Sequence, residues 1–323
     1  MKLALVLAGG GTVGIAYHTG VLLALRDELG LSADDVDLVV GTSAGSVVGA
    51  YLRSGMEPDE VVAQVLGTEH GSGAAADPLP RVLDWMRGGP GAWARRGLGT
   101  AWVAGRALSS RWPVAFPVPA PPTALRRSFP AGLAAMAQSK ERLRRDLGCS
   151  WPSRPLWLTT VDLVSGRRVV LGRHPCRLSL PDAVRASCAI PVLFPPVRMG
   201  RRLLVDGGVR SMAHLDLVAE AGVRAVIASL PLSYDPKAPP PRTQALVRRP
   251  GSRTLAREVA VARQAGASVL LIRPDAEVVR IQGSNMLRVD DLHRVVDVAY
   301  RSTRRRLAGR DRFVVDVRRR MAA

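Results

Sequence analysis

The hydrophobic positions near the start of the chain fall into two apolar runs and two helical segments. Residues 3–8 and 36–40 are nearly continuous apolar runs, which is typical of central parallel strands covered on both faces. Residues 15–29 and 43–53 place their apolar side chains at helical spacing. This alternation of strands and helices predicts an α/β fold with a mostly parallel central sheet.

The same pattern resumes at residue 156. We predict strands at 156–161, 169–171, 202–205, 225–229 and 269–272, and helices at 182–187, 213–221, 254–264 and 291–307. No internal repeat interrupts the series. We therefore treat residues 1–323 as a single domain.

Two stretches of the chain depart from the α/β pattern. Residues 67–153 are crowded with Gly, Pro, Ala and Arg, and four of the six tryptophans, Trp85, Trp93, Trp102 and Trp112, lie within 28 positions of one another there. This composition favours short helices and loops, and we interpret the segment as an insertion over one edge of the sheet. Residues 234–251 are rich in Pro and Arg, and we predict a mobile loop there.

The formal net charge of +19 is the strongest compositional signal. Lysine occurs only at Lys2, Lys140 and Lys237, so nearly all of the 46 basic residues are arginine, a bias that a GC-rich genome partly explains. A positive surface attracts anionic phospholipid headgroups or nucleic acid. Because no nucleic-acid-binding module accompanies the arginines, we expect no specific nucleic-acid partner; an anionic membrane surface and a simply solvated basic face both stay open.

The cysteines and the apolar runs indicate a cytoplasmic protein. Cys149, Cys176 and Cys188 are odd in number and follow no CxxC spacing, so neither a disulfide framework nor a zinc site is expected. The apolar run at residues 3–8 leads directly into glycines rather than a cleavage site. No segment offers the roughly 18 consecutive apolar residues that a membrane span needs. We expect a soluble chain, or one attached peripherally to a membrane.

The sequence Gly41-Thr42-Ser43-Ala44-Gly45 follows the second predicted strand and opens a helix. A sharp turn of this kind exposes a serine hydroxyl as a nucleophile, and the helix N-terminus favours developing negative charge. Gly41 and Gly45 leave room for the tight backbone. The alternative is that Ser43 only caps its helix.

The sequence Gly9-Gly10-Gly11-Thr12-Val13-Gly14 follows the first strand and opens the first helix. It satisfies the GxGxxG pattern of dinucleotide-binding proteins, which also expects an acidic residue at the end of the second strand. Gly41 and Thr42 occupy that position, whereas Asp34, Asp35 and Asp37 come before or at the start of the strand. A glycine loop at a helix N-terminus can equally supply the N–H groups of an oxyanion hole.

The base that would activate Ser43 has several candidates. His293 is last in chain order, as a hydrolase triad requires, but its polar neighbours favour a solvent-facing helical position. His18 lies one turn into the first helix, where we favour structural packing. Asp206 ends a predicted parallel strand before Gly207 and Gly208, and we expect it at the sheet edge where Ser43 also emerges. It could instead hydrogen-bond its own turn.

In combination these motifs resemble the patatin-like phospholipase family. The glycine loop at residues 9–14, the Ser43 turn and Asp206-Gly207-Gly208 occur in this order, and residues 186–196 (ASCAIPVLFPP) look like the stretch before the family's Asp-Gly motif. The likeness covers residues 2–53 and 156–209.

The resemblance implies a three-layer α/β/α fold and a Ser-Asp dyad that uses no histidine, metal or cofactor. Ser43 would be the nucleophile and Asp206 the general base. The substrate would be a lipid ester. The oxyanion and substrate-binding residues would come from the first motif, namely Gly9, Gly10, Gly11, Thr12 and Gly14.

Two positions differ from the family pattern. Val13 stands where the family usually has Arg or Lys, and Val209 to Met212 replace the Asn-Pro-like residues that often follow the Asp-Gly motif. Neither change removes a reacting group. Residues 67–153, with their tryptophans and interleaved arginines, suit a lid or an interfacial surface, or aromatic side chains that pack short helices onto the sheet.

The leading prediction is a serine lipid acyl hydrolase of the phospholipase A, lysophospholipase or esterase type. The alternatives are a nucleotide-binding protein that uses residues 9–14 and a catalytically inactive membrane-surface protein.

Overall fold

The computed structural model describes residues 2–66, 137–191, 193–235, 239–240, 242–309 and 312–321. The chain divides into two compact units. The first comprises Met1–Ala75, Pro152–Trp157 and Ser211–Ala323, and the second comprises Ala76–Trp151 and Leu158–Arg210. The first unit contains both ends of the sequence.

The first unit is built on the parallel strands β1 (Leu3–Leu7), β2 (Leu38–Gly41), β7 (Ala225–Ser229) and β8 (Ser268–Ile272). They lie in the order β2-β1-β7-β8. Leu7 pairs with Gly41 on one side and with Ser229 on the other. Every residue of β1 is buried, as expected for a central strand. The segments that follow β1, β2 and β7 therefore leave the sheet at one edge.

The first unit also contains helices, and two of these helices meet closely at a glycine. The helices of the first unit are α1 (Gly11–Leu29), α2 (Ala44–Arg53), α3 (Pro58–Leu66), α6 (Leu217–Glu220), α7 (Arg242–Gln264), α8 (Ala276–Gln282), α9 (Leu292–Leu307) and α10 (Arg312–Met321). Gly20 of α1 lies so close to α9 that an added Cβ would overlap the carbonyl oxygen of Val296. Gly30, with φ 65°, ends α1 and donates its N–H to Arg26.

The second unit contains antiparallel strand pairs. Its elements are α4 (Ala137–Leu147), β3 (Leu156–Asp162, of which the part from Leu158 belongs to this unit), β4 (Arg168–Leu171), α5 (Leu180–Ser187), β5 (Val197–Met199) and β6 (Arg202–Asp206). β3 pairs antiparallel with both β4 and β6, and β6 pairs antiparallel with β5. Gly200, with φ 59°, forms part of the tight turn that reverses the chain between β5 and β6. Val161, Leu163 and Val205 form a buried cluster in this unit.

The predicted α/β class is confirmed, and the strand pairing is mixed rather than uniformly parallel. The predicted strands all occur within two residues of their expected limits, and the largest difference is the start of β2 at Leu38. The helix predicted at 213–221 is shorter, covering only Leu217–Glu220. Residues 67–136, most of the predicted insertion, lie outside the described residues, while residues 137–147 form α4.

The prediction of a mobile loop at 234–251 was wrong for its second half. Residues 242–251 belong to α7. The physical reason is the side chain of Arg248, which is buried and hydrogen-bonded and so fixes this part of the helix despite the nearby Pro250.

Among the described helices, none combines the length and the apolar character needed to cross a membrane.

Candidate active site

Ser43 occupies a strained turn between β2 and α2. Its backbone has φ 50° and ψ −117°, a region that side-chain-bearing residues rarely adopt. Ser43 occupies the N-cap position of α2, but its side chain makes no capping hydrogen bond to the helix. The main-chain oxygen of Ser43 instead accepts hydrogen bonds from the N–H and the hydroxyl of Ser46, at 2.8 and 2.6 Å.

The glycines on either side of Ser43 allow this turn to pack against the end of β1. A Cβ on Gly45 would overlap the carbonyl oxygen of Leu7, and a Cβ on Gly41 would lie 2.7 Å from the carbonyl oxygen of Gly45. The N–H of Thr42 donates to Leu7 at 3.0 Å. Only glycine fits at positions 41 and 45 without a backbone shift.

The glycine loop lies beside the Ser43 turn. A Cβ on Gly9 would lie 3.6 Å from the Cβ of Ser43, so the structure brings these two predicted site residues together. Gly11 has φ 61°, and an added Cβ there would overlap the carbonyl oxygen of Met286. Glycine is therefore required at position 11 both by its backbone conformation and by its neighbour.

The main-chain donors of the loop divide into two groups. The N–H of Gly9 donates to Met212 at 2.8 Å, that of Val13 to Met286 at 3.1 Å, and that of Gly14 to Gly10 at 2.8 Å. In the part of the chain that the structure describes, the N–H groups of Gly10, Gly11 and Thr12 have no acceptor. These three stand at the N-terminus of α1, where unpaired N–H groups and the helix dipole attract negative charge.

His18 is a buried structural residue next to this loop. Its Nε2 lies 2.7 Å from the carbonyl oxygen of Ala8, and its Nδ1 lies 2.8 Å from the hydroxyl of Ser229. Because a carbonyl only accepts, Nε2 carries the hydrogen and Nδ1 accepts from Ser229. Burial lowers the pKa of His18 to about 4, although the bond to Ala8 acts in the opposite direction. Both ring nitrogens of His18 are thus occupied by hydrogen bonds within the protein. His293, by contrast, is exposed on α9.

The acidic residues near β2 do not complete a nucleotide site. The carboxylate of Asp37 accepts the N–H of Leu3 at 2.7 Å, and Asp35 caps its own short turn through Ser32. Since Leu3 begins β1, Asp37 lies at the opposite end of the strands from the glycine loop. Neither Asp35 nor Asp37 is therefore placed to serve as the ribose-binding carboxylate of the dinucleotide fingerprint.

Asp206 belongs to the second unit, where it ends β6. It is 5% exposed, and its Oδ1 accepts the N–H of Gly208 at 2.7 Å, so it does hydrogen-bond its own turn. The expectation that Asp206 ends a parallel strand was wrong, because β6 is antiparallel to both β3 and β5. Short hairpin connections reverse the chain here.

The residues around Asp206 fix its backbone. Its N–H donates to Ala189 at 2.9 Å, within the ASCAIPVLFPP stretch. Gly207 packs against β3 so closely that a Cβ would lie 2.7 Å from the carbonyl oxygen of Thr159, which also accepts the hydroxyl of Ser187 at 2.8 Å. The Asp206-Gly207-Gly208 motif, the ASCAIPVLFPP stretch before it and β3 are therefore held together by hydrogen bonds and close packing.

Val13, the position where the family usually carries a cation, is fully buried in α1. Its N–H binds Met286.

One group within the described residues has side chains suited to a metal ion. A ligand atom from each of His214, Asp216 and Glu258 lies within 4.8 Å of the others. The carboxylate of Glu258 already accepts the N–H of Leu215 at 3.0 Å, so it has a structural role in this turn.

The fold and the Ser43 turn define an α/β protein with a serine on a strained strand-to-helix turn beside a glycine loop. The family model for patatin-like phospholipases matches residues 5–130 and 151–219. The chain belongs to the patatin-like phospholipase family.

Among curated proteins, an NTE family protein of Mycobacterium tuberculosis is 27% identical over 208 residues, which are 64% of this chain and 26% of that protein. A patatin-like phospholipase domain-containing protein of Caenorhabditis elegans is 27% identical over 226 residues, 69% of this chain and 13% of that protein. The chain thus spans about a quarter or less of these relatives' length.

Among solved structures, human GIVD cytosolic phospholipase A2 matches with a TM-score of 0.47 and 12% identity, covering 98% of this chain and 60% of that chain. VipD from Legionella pneumophila matches with a TM-score of 0.41 and 14% identity, covering 98% of this chain and 66% of that chain.

Several residues that shape the loop were missed from the sequence. Met212, Pro231 and Met286 contact the glycine loop, and Arg248 binds the carbonyl oxygen of Pro231. Pro231 follows the end of β7 by two residues, and this position after a parallel strand was the one available signal.

Proposed function

We propose that the chain is a serine lipid acyl hydrolase of the phospholipase A, lysophospholipase or esterase type. The observation that carries the proposal is the strained Ser43 turn packed beside a loop in which three N–H groups have no acceptor among the described residues. Strain at one serine, between glycines that permit it, is typical of a nucleophile elbow. Family membership supports the lipid substrate.

In the proposed mechanism Asp206 is the general base. It takes the hydroxyl proton of Ser43 as Oγ attacks the ester carbonyl, and the tetrahedral oxyanion accepts hydrogen bonds from the N–H groups of Gly10, Gly11 and Thr12. Collapse breaks the ester bond, and Asp206 returns the proton to the leaving alkoxide. Asp206 then deprotonates a water that attacks the acyl-enzyme, and as the bond from the acyl carbon to Oγ breaks, Asp206 returns the proton to Ser43 and the fatty acid leaves.

The roles within the glycine loop differ from the initial expectation. The N–H groups of Gly9 and Gly14 already have protein acceptors. We therefore assign Gly9 to close packing against Ser43 and Gly14 to the first turn of α1. Oxyanion binding falls to Gly10, Gly11 and Thr12.

An anionic phospholipid surface is the partner we propose for the second unit. Because β3 is antiparallel to β4 and β6, the β3–β4 and β5–β6 turns lie at the same end of its sheet. Arg167, Arg201 and Arg202 are exposed there, and none forms an ion pair with a carboxylate among the described residues. Unpaired arginines at one end of a sheet favour anionic headgroups.

A fluorophosphonate probe, which forms a covalent adduct with an activated serine, tests the proposed function. We expect labelling of the wild-type chain and none of Ser43→Ala. Ser54→Ala is the matched control, because Ser54 ends the same helix and its hydroxyl only donates to Ala50. Unlabelled wild-type protein would instead favour the inactive membrane-surface alternative, and labelling of Ser43→Ala would exclude Ser43 as the nucleophile.

A further inference from the structure

Arg248 is a charged side chain in the interior of the first unit. It lies on α7 and is 2% exposed. Its Nη1 donates to the carbonyl oxygens of Pro231 and Ser233 at 2.8 and 3.1 Å, and its Nη2 donates to Oε1 of Gln282 at 2.8 Å. Burial lowers the pKa of Arg248 to about 10, so it remains charged at neutral pH and supplies charge-assisted hydrogen bonds.

The first segment that Arg248 holds is packed against the glycine loop. A Cβ on Gly10 would lie 2.6 Å from Cγ of Pro231, and a Cβ on Gly14 would lie 3.4 Å from the same atom. The pyrrolidine ring therefore covers the backbone of Gly10 directly. Any displacement of Pro231 changes the space available to Gly10, whose N–H has no acceptor in the described part of the chain.

The second segment that Arg248 holds reaches the loop from another direction. Gln282 ends α8, and four residues later the carbonyl oxygen of Met286 accepts the N–H of Val13 and lies against Gly11. The guanidinium has no acceptor atoms, so it fixes Gln282 with the side-chain oxygen towards it. One side chain thus ties together both segments that flank the glycine loop.

We propose that Arg248 is a positioning residue for the oxyanion loop. By holding the segments of Pro231 and Gln282 in place, it keeps the N–H groups of residues 10–12 aimed at the developing oxyanion. Glycine imposes few conformational restraints of its own, so a glycine loop gains its preorganisation from what packs against it. This inference rests on the proposed function, because it assigns these N–H groups to the transition state.

Arg248→Gln and Arg53→Gln form a matched pair for the test. Arg53 is also buried in the first unit, donates to the carbonyl oxygens of Pro155, Ala33 and Val36, and has its pKa lowered to about 10 by burial. Two of its acceptors precede β2, at the end of the sheet away from the loop. Both substitutions leave buried carbonyl oxygens without a charged donor.

The measurement is kcat and KM on a short-chain soluble ester, per folded molecule. We expect Arg248→Gln to lower kcat roughly 10- to 100-fold with little change in KM, since the donors act on the transition state. Arg53→Gln should lower stability while leaving kcat near wild type. Equal kcat values for the two folded variants would overturn the inference.

Two further variants keep the test decisive if Arg248→Gln does not fold. Pro231→Ala removes the ring that covers Gly10 but keeps the carbonyl that Arg248 binds, so kcat should again fall; unchanged kcat would overturn the inference. Arg248→Lys retains a cationic donor and should restore part of the lost kcat. If the wild type shows no turnover that depends on Ser43, the proposed function itself is wrong. If the wild type is active and both Pro231→Ala and Arg248→Gln have a normal kcat, only the role of Arg248 is wrong.

Discussion

The Nε2 of His18 donates a hydrogen bond to the carbonyl oxygen of Ala8 at 2.7 Å, and this contact joins α1 to the residue that immediately precedes the glycine loop. The other ring nitrogen of His18 reaches Ser229 at the end of β7. The neutral imidazole thus connects a helix with two strand ends in a place where water cannot solvate a charge.

The buried imidazole predicts a pH-dependent stability. Burial lowers the pKa of His18 from 6.5 to about 4, so the unfolded chain binds more protons than the folded chain between these values. The free energy of unfolding should therefore fall as the pH drops through this window, by about 3 kcal/mol for this one residue. Urea unfolding curves across the window measure it.

His18→Gln is the control for the pH prediction, because it cannot titrate. The stability difference between wild type and variant should shrink towards low pH, and the other titrating groups cancel in that difference. Parallel pH profiles for the two proteins would contradict the assignment of the effect to His18.

The backbone of Ser43 predicts a gain of stability on substitution by glycine. Glycine adopts φ 50° without the steric penalty of a side chain, so Ser43→Gly should be more stable than Ser43→Ala by about 1 kcal/mol. Both variants should lose fluorophosphonate labelling. Thermal or urea unfolding gives the stability difference.

The neighbouring position supplies the opposite expectation. Ala44 begins α2 with helical geometry, so Ala44→Gly should lower stability by about 1 kcal/mol. If Ser43→Gly were less stable than Ser43→Ala, the backbone at residue 43 would not be strained in the folded protein.

The assignment of Asp206 as general base predicts a loss of turnover without a loss of fold. In Asp206→Asn the side-chain oxygen can still accept the N–H of Gly208, but the amide cannot take a proton. We expect kcat to fall by about 100-fold or more, as measured on a soluble ester.

Asp162→Asn is the matched control for that experiment. Asp162 is a buried carboxylate of the same unit that accepts hydrogen bonds from Ser165, Val164 and Leu203. Its substitution should lower stability but not the kcat of the folded protein. Retained turnover in Asp206→Asn would refute the dyad.

The exposed arginines predict selective binding to anionic vesicles. Replacing Arg167, Arg201 and Arg202 by Gln should weaken binding to vesicles rich in phosphatidylglycerol by roughly 100-fold, at about 1 kcal/mol for each arginine. Co-sedimentation at low and high salt measures this effect, which screening should reduce.

A second triple variant separates location from net charge. Arg301, Arg304 and Arg305 on α9 are paired with acidic residues, namely Asp297, Glu277, Glu28 and Asp275. Their replacement by Gln removes the same charge and should affect vesicle binding far less. Equal effects of the two triple variants would show that only the overall charge matters.

The parts of the fold that sequence predicted well are those encoded locally. The strand β1, the turn at Ser43 and the helix α1 each follow from residues that are adjacent in the chain. The donor roles within the glycine loop could not be predicted, because the acceptors of Gly9 and Val13 lie at Met212 and Met286. Tertiary contacts over such separations leave no periodic signal.

Two errors arose from local patterns that tertiary structure overrides. The Pro- and Arg-rich composition of residues 242–251 suggested a loop, but the buried contacts of Arg248 stabilise a helix there. The position of Asp206 after an apolar strand suggested a parallel neighbour, but an apolar run does not reveal the direction in which a strand pairs.

The dependence of the first unit on residues 211–323 has a practical consequence. A fragment that stopped at residue 219, where the family match ends, would keep every motif residue yet lose β7, β8 and α7. One side of β1 would then be a bare apolar edge, which promotes aggregation. We therefore do not expect the stretch that ends with the family match to be expressed alone as a stable protein, and surveys of natural variation confined to it would never sample Arg248.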